Sequence, residues 1–122
     1  MTLSTQKIGR RGERLAEEFF VAIGAKLLER NFHVQYAEVD LIFEHEEELV
    51  AVEVKTRSVL DWAAPEECVF PAQLRRIARG LATYAQDNEL DDMPFRIDVI
   101  AIVLAPDGEV LRFDHLKSVF PL

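Results

Sequence analysis

Three side chains in one short stretch are placed to do chemistry. In AEVDLIFEHEEELVAVEVKTR, from Ala37 to Arg57, Asp40, Glu53 and Lys55 interrupt strand-like runs of Val, Leu, Ile and Phe. If the polar stretch EHEEE turns as a four-residue loop over His45 to Glu48, Glu44 faces Leu49 and Asp40 faces Glu53. Directly opposed residues in an antiparallel pair have Cβ atoms ~4.5–5.5 Å apart. Two carboxylates about 4 Å apart at an effective dielectric near 20 repel by about 4 kcal/mol. Either one carboxyl keeps its proton or a cation sits between them. Magnesium and manganese favour hard oxygens of this kind, with water completing the shell. Strand alternation puts Lys55 on the same face as Glu53, where an amine can orient a water or offset charge on a phosphate. The bland alternative is an ion pair of Lys55 with Glu53 or Asp40 at a sheet edge.

The elements that must hold these residues follow from the periodicity. Ser4 or Thr5 can cap a helix running from about Thr5 to Ile23, which Gly24 stops. Ile8, Gly12, Leu15, Phe19 and Ile23 form its core stripe, and Glu13 lies on the flank beside Gly9, Ala16 and Phe20. Two glycines in GRRGE, Gly9 and Gly12, either let the helix pack closely on a sheet or leave room for a ligand beside Glu13. Three strands follow in AKLLERNFHV, AEVDLIF and ELVAVEVKT, then an irregular segment RSVLDWAAPEECVF containing Pro65. A second helix from about Pro71 to Gln86 turns Leu74, Ile77, Ala78, Leu81 and Ala85 inward. FRIDVIAIVL, the turn APDG and EVLRF supply a last strand and hairpin. The order is αβββαββ, with residues 1–122 as one domain.

Composition narrows the function classes. The chain has 122 residues, 49% hydrophobic and 30% charged, which suits a folded domain. No apolar run approaches the ~18–20 residues of a membrane span, and no apolar stretch follows the basic N-terminal residues. A single cysteine, Cys68, cannot form an internal disulfide, so the cytoplasm is the expected compartment. The net charge of −8 argues against a general nucleic-acid coat. Charge is nevertheless uneven. Residues 1–30 hold six bases against four acids, and residues 31–70 hold ten acids against Lys55 and Arg57. A basic helix beside an acidic hairpin suits a site that combines a polyanion with cations. On the second helix, Arg75, Arg76 and Arg79 cluster next to Gln73, where they could meet phosphates or merely be solvated.

Together GRRGE (Gly9 to Glu13), Arg30–Asn31, AEVDLI (Ala37 to Ile42), VEVKTR (Val52 to Arg57) and RIDVI (Arg96 to Ile100) resemble the YraN family of small bacterial proteins. That family belongs to the PD-(D/E)XK, or restriction-endonuclease-like, superfamily. Asp40, twelve residues, then Glu53-x-Lys55, all after a GxxGE helix, is the specific part of the resemblance. The kinship implies an α/β fold with an αβββαβ core and a mixed central sheet flanked by helices. It implies Asp40 and Glu53 as metal ligands, Lys55 as the catalytic lysine and Glu13 as the helix carboxylate completing the cluster. It also implies Mg2+ or Mn2+ as cofactor and hydrolysis of DNA phosphodiesters, in single-stranded, flapped or branched substrates. Arg10, Arg11, Arg57, Gln73, Arg75, Arg76 and Arg79 are the candidates for nucleic-acid contact. Three departures stand out: Ala37 replaces a usual Gly, Trp62–Ala63 an aromatic–glycine pair, and Gln73 a usual lysine. Asp98 also matches the family, but a structural role toward Arg96 or a backbone amide is the preferred reading. The competing function is an inactive nucleic-acid-binding or protein-interaction module on the same scaffold. Apolar Val119, Phe120 and Leu122 at the C-terminus could cover the core or meet a second subunit in a homodimer.

Overall fold

The first helix, α1 (Thr5–Ala22), begins where Ser4 accepts a hydrogen bond from the Lys7 amide at 3.2 Å. It ends in a Schellman turn: the Gly24 N–H donates to the Val21 carbonyl and the Ala25 N–H to that of Phe20. Gly24 supplies the left-handed φ of 95° that this turn requires. The face that reaches the core is Gly12, Ala16 and Phe20, one position round from the expected stripe. Ile8, Leu15 and Phe19 pack beside it, whereas Ile23, expected inside, is exposed beyond the last turn. Glu13 therefore sits next to the buried line and close to the sheet.

The computed structural model describes residues 2–60 and 70–119. Five strands form one mixed sheet in the order β1 (Lys26–Val34), β2 (Ala37–His45), β3 (Glu48–Ser58), β4 (Phe95–Leu104), β5 (Val110–Leu116). Among the described residues only β3 and β4 are parallel neighbours, joined through α2 (Pro71–Asp87). Helix α1 covers one face with Val50, Val52, Ile100 and Ile102, and α2 covers the other with Ile42, Leu49, Ala51 and Ile97. Central strands buried on both faces explain the near-continuous apolar runs at 49–52 and 97–102. Phe20 stacks on Phe43 with centroids 4.8 Å apart, worth about 0.5–1.5 kcal/mol beyond the area it buries. This is the restriction-endonuclease-like αβββαβ core with one added strand at its edge. Among the described residues no helix is long and apolar enough to cross a membrane. Cys68, Pro65, Trp62–Ala63, Phe120 and Leu122 lie outside the described residues. Val119 packs against the α2-side core, and its amide donates to the Ile97 carbonyl at 2.8 Å.

The hairpin keeps the expected register with a shorter turn. Leu41 pairs with Val52, Glu44 with Leu49 and His45 with Glu48. Only Glu46 and Glu47 remain as the turn, at φ 51° and 66°, the left-handed pair of a two-residue hairpin connection. His45 and Glu48 stay in the ladder because both are anchored: His45 Nε2 lies 3.2 Å from the Ile23 carbonyl, and Glu48 accepts from Arg96 at 2.8 Å.

The two glycines of α1 answer differently. A Cβ on Gly12 would fall 1.8 Å from Thr56 Oγ1 and 2.9 Å from Thr56 Cβ, whereas one on Gly9 would meet nothing within 4 Å. Gly12→Ala should destabilise by about 1–3 kcal/mol through overpacking. Gly9→Ala should stabilise by up to about 1 kcal/mol through helix propensity. Urea midpoints of the two variants check the contrast; equal shifts would show that α1 does not rest on Thr56.

Candidate active site

β2 and β3 are paired from the turn to Leu41 and Val52, and there the register ends. Beyond that fork Asp40 takes over with its side chain: Oδ2 accepts the Val54 N–H at 2.8 Å. The adjoining Glu53 brings its carboxyl close enough that Asp40 and Glu53 each shift the other's proton affinity. Both are buried, at 9% and 7% exposure. Burial is the main reason that Glu53 is pushed up to about 8, and the neighbouring Asp40 charge adds to it while Lys55 opposes. Burial likewise raises Asp40, with the Val54 N–H and Glu53 pulling the other way. The pair holds a proton in common near neutral pH, one of the two outcomes that opposed acids demand.

Lys55 Nζ stands 3.7 Å from Glu53 Oε1. The ion pair of the bland alternative therefore exists, but on β3, the middle strand of the sheet and not an edge. Helix α1 brings Glu13, whose carboxyl is raised by burial first and by Asp40 and Glu38 next, while a hydrogen bond from Asn31 lowers it. Two residues to which the sequence reading assigned no role thus belong here. Asn31, at φ 51° on β1, reaches Glu13, and Glu38 adds a negative field at Glu13, Asp40 and Glu53. Strand alternation from Asp40 was a signal for Glu38, and Asn is a residue that tolerates a left-handed φ.

Glu13 is the ridge between two openings. One, of about 260 Å³, is lined by Thr5, Gly9, Glu13, Lys55, Thr56 and Arg57; the other, about 400 Å³, by Arg10, Glu13, Arg14, Glu17, Arg30 and Leu41. Among the described residues no three acidic, histidine or cysteine side chains form a ready metal cage. The donor set still fits magnesium or manganese, which are commonly held by one or two carboxylates with waters and substrate phosphates supplying the rest. Asp40 and Glu53 are two such oxygen donors, already adjacent and competing for one proton.

The residues around this fork fall within the stretch 12–102 that matches the model of the uncharacterised protein family UPF0102. The chain belongs to that family. It is 36% identical to a UPF0102 protein of Dictyoglomus turgidum over 118 residues, covering 97% of this chain and 100% of the relative. A UPF0102 protein of Pelobacter propionicus is 38% identical over 116 residues, covering 93% and 82%. One from Flavobacterium johnsoniae is 37% identical over 117 residues, covering 93% and 94%.

Within this family member the remaining candidates divide. Arg10 is exposed on the larger opening and Arg57 lines the smaller one. Arg11 has a structural engagement: its Nε donates to the Gly108 carbonyl at 2.5 Å and fastens α1 to the β4–β5 turn. Gln73 is half-buried, and Arg75, Arg76 and Arg79 are exposed along α2. Asp98 is fully buried and structural, as expected. It accepts from Arg96 Nε at 3.1 Å and the Ser118 amide at 3.0 Å, with His115 Nε2 at 2.7 Å from its other oxygen.

An ordinary Glu releases its proton near 4.5, whereas folded Glu53 holds it to about 8. Across that window the folded state binds more protons, so the contribution of Glu53 to stability is fully present below pH 4.5 and is lost as pH climbs through 8. In EDTA, Tm should therefore fall over this range more steeply for wild type than for Glu53→Gln. Parallel profiles would show that the pair does not hold its proton.

Proposed function

We propose that the protein is a metal-dependent endonuclease that hydrolyses DNA phosphodiesters in single-stranded, flapped or branched substrates. The observation that carries this reading is the buried Asp40–Glu53 carboxyl pair at the fork of β2 and β3, with the Lys55 amine 3.7 Å from Glu53. Asp40 and Glu53 would hold magnesium or manganese, and Glu13 lies at the margin of the same site to complete the outer shell. When bound, such an ion supplies a Lewis-acidic centre that offsets phosphate charge and lowers the pKa of a water. The Val54 N–H fixes the direction of the Asp40 carboxylate. Lys55 presents positive charge where it would grow negative on the scissile phosphate. Asn31 holds Glu13 in place, and Gly9 leaves the smaller opening bare for a strand to pass. Arg10, Arg57, Arg75, Arg76 and Arg79 offer phosphate contacts along both helices and β3, with Gln73 a neutral neighbour and Arg11 a contributor only if it leaves Gly108.

A second reading, an inactive nucleic-acid-binding or protein-interaction module, is favoured by the net charge of −8 and by the lack of three converging acids among the described residues. Cleavage of labelled single-stranded, flapped and four-way DNA with magnesium or manganese separates the two. Wild type should cut, and Asp40→Ala, Glu53→Ala and Lys55→Ala should each lose at least about 100-fold in rate. Wild-type and variant traces that cannot be told apart under either ion would leave the module reading.

A further inference from the structure

Among the described residues, the aromatic side chain most open to solvent lies away from the core. Tyr36, in the two-residue turn between β1 and β2, is 93% exposed. Its backbone is pinned on both sides: Val34 pairs with Ala37 across the turn, and Gln35 takes a left-handed φ of 52°. A ring held on so short a turn loses little freedom when it meets a partner, since only two side-chain torsions remain.

Helix α2 reaches the same spot. Gly80 lies against β2, so closely that a Cβ there would stand 3.1 Å from Val39 Cγ2 and 3.2 Å from Ala37 Cβ. That approach sets Arg79 and Thr83 beside Gln35 and Tyr36 around a pocket of about 120 Å³. From Pro71 to Gln86 the helix carries Arg75, Arg76 and Arg79 and no acid, in a chain whose net charge is −8. All three arginines are exposed. The surface therefore combines an open ring with guanidinium groups, against the charge of the molecule as a whole.

We propose that Tyr36 and Arg79 form a platform that receives an unpaired nucleobase of the substrate, the ring stacking on the base and the guanidinium contacting its phosphate. The inference rests on the nuclease reading and narrows its substrate class to DNA with an unpaired segment beside the cut. Base–aromatic stacking needs a free base face, which a duplex interior does not offer. Tyr36 immediately precedes β2 and stands four residues before Asp40, on the order of 13 Å by strand rise. A base seated on Tyr36 thus belongs to a strand that can continue to the fork. Charge complementarity favours a nucleic acid over an acidic or apolar protein segment, because the arginines and the ring act on different parts of one nucleotide.

Anisotropy with labelled single-stranded and blunt duplex DNA tests this, in EDTA and again with calcium. Tyr36→Ala should weaken single-strand binding by about 5- to 150-fold, Tyr36→Phe should retain it, and duplex binding should be unchanged. Arg79→Ala should reduce the salt dependence on single strands by about 0.7 in log–log slope. Full single-strand affinity in Tyr36→Ala, equal losses on both DNAs, or no single-strand binding by wild type would each overturn the platform. So would a dimer in sedimentation that Tyr36→Ala dissolves, which would make the ring a contact between copies. Failure of the nuclease reading looks different: Tyr36-dependent binding would persist with no cleavage under magnesium or manganese.

Discussion

One hydrogen bond governs the arrangement of the site. At the point where β2 and β3 stop exchanging main-chain bonds, a strand amide in the middle of the sheet needs an acceptor, because an unpaired buried N–H costs about 1–3 kcal/mol. The Asp40 carboxylate satisfies the Val54 amide in place of a carbonyl. The strands can then separate without an orphaned donor, and the gap between them is where Glu53, Lys55 and the flank of α1 come together. An acid at position 40 is thus at once the end of the ladder and half of the carboxyl pair.

The neighbouring strand β4 shows the contrasting solution for buried charge, at a position in register with Val52. Asp98, beside Arg96 and His115 and capping the Ser118 amide, has every neighbour of the sign or donor type it needs. Arg96 extends that network to Glu48. Such a set is consistent with rigidity and with fixing the end of β5 on β4. The pair at the fork lacks that satisfaction: acid faces acid, and one amine at 3.7 Å does not balance both. Two clusters of similar composition therefore have opposite characters, and the difference lies in partners and not in burial.

Much of this was legible in the residues. β4 was readable from end to end because FRIDVIAIVL is a β-forming run interrupted only by Arg96 and Asp98 and bounded by Pro94 and Ala105. The hairpin register followed from strand alternation, and it survived a wrong turn length because shortening the loop by one residue on each side leaves every pair unchanged. The α1 stripe was read one position off, since Leu15 and Phe19 are as apolar as Ala16 and Phe20 and periodicity cannot choose between adjacent lines. Arg11 as an anchor for Gly108 and Asn31 as a partner for Glu13 were out of reach. Both depend on which loops the sheet order brings to α1, and spacing along the chain carries no record of that.

The contact between Gly12 and Thr56 has a mechanical meaning. With the helix backbone seated so deep over one threonine, α1 is caught in a detent: sliding along β3 or rolling about its axis would drive neighbouring side chains into that residue. Glu13, the next residue, inherits the same immobility. On the proposed reading, a ligand would meet Glu13 through the openings already beside it and be selected by fit to a fixed shape instead of by a closing movement of the helix.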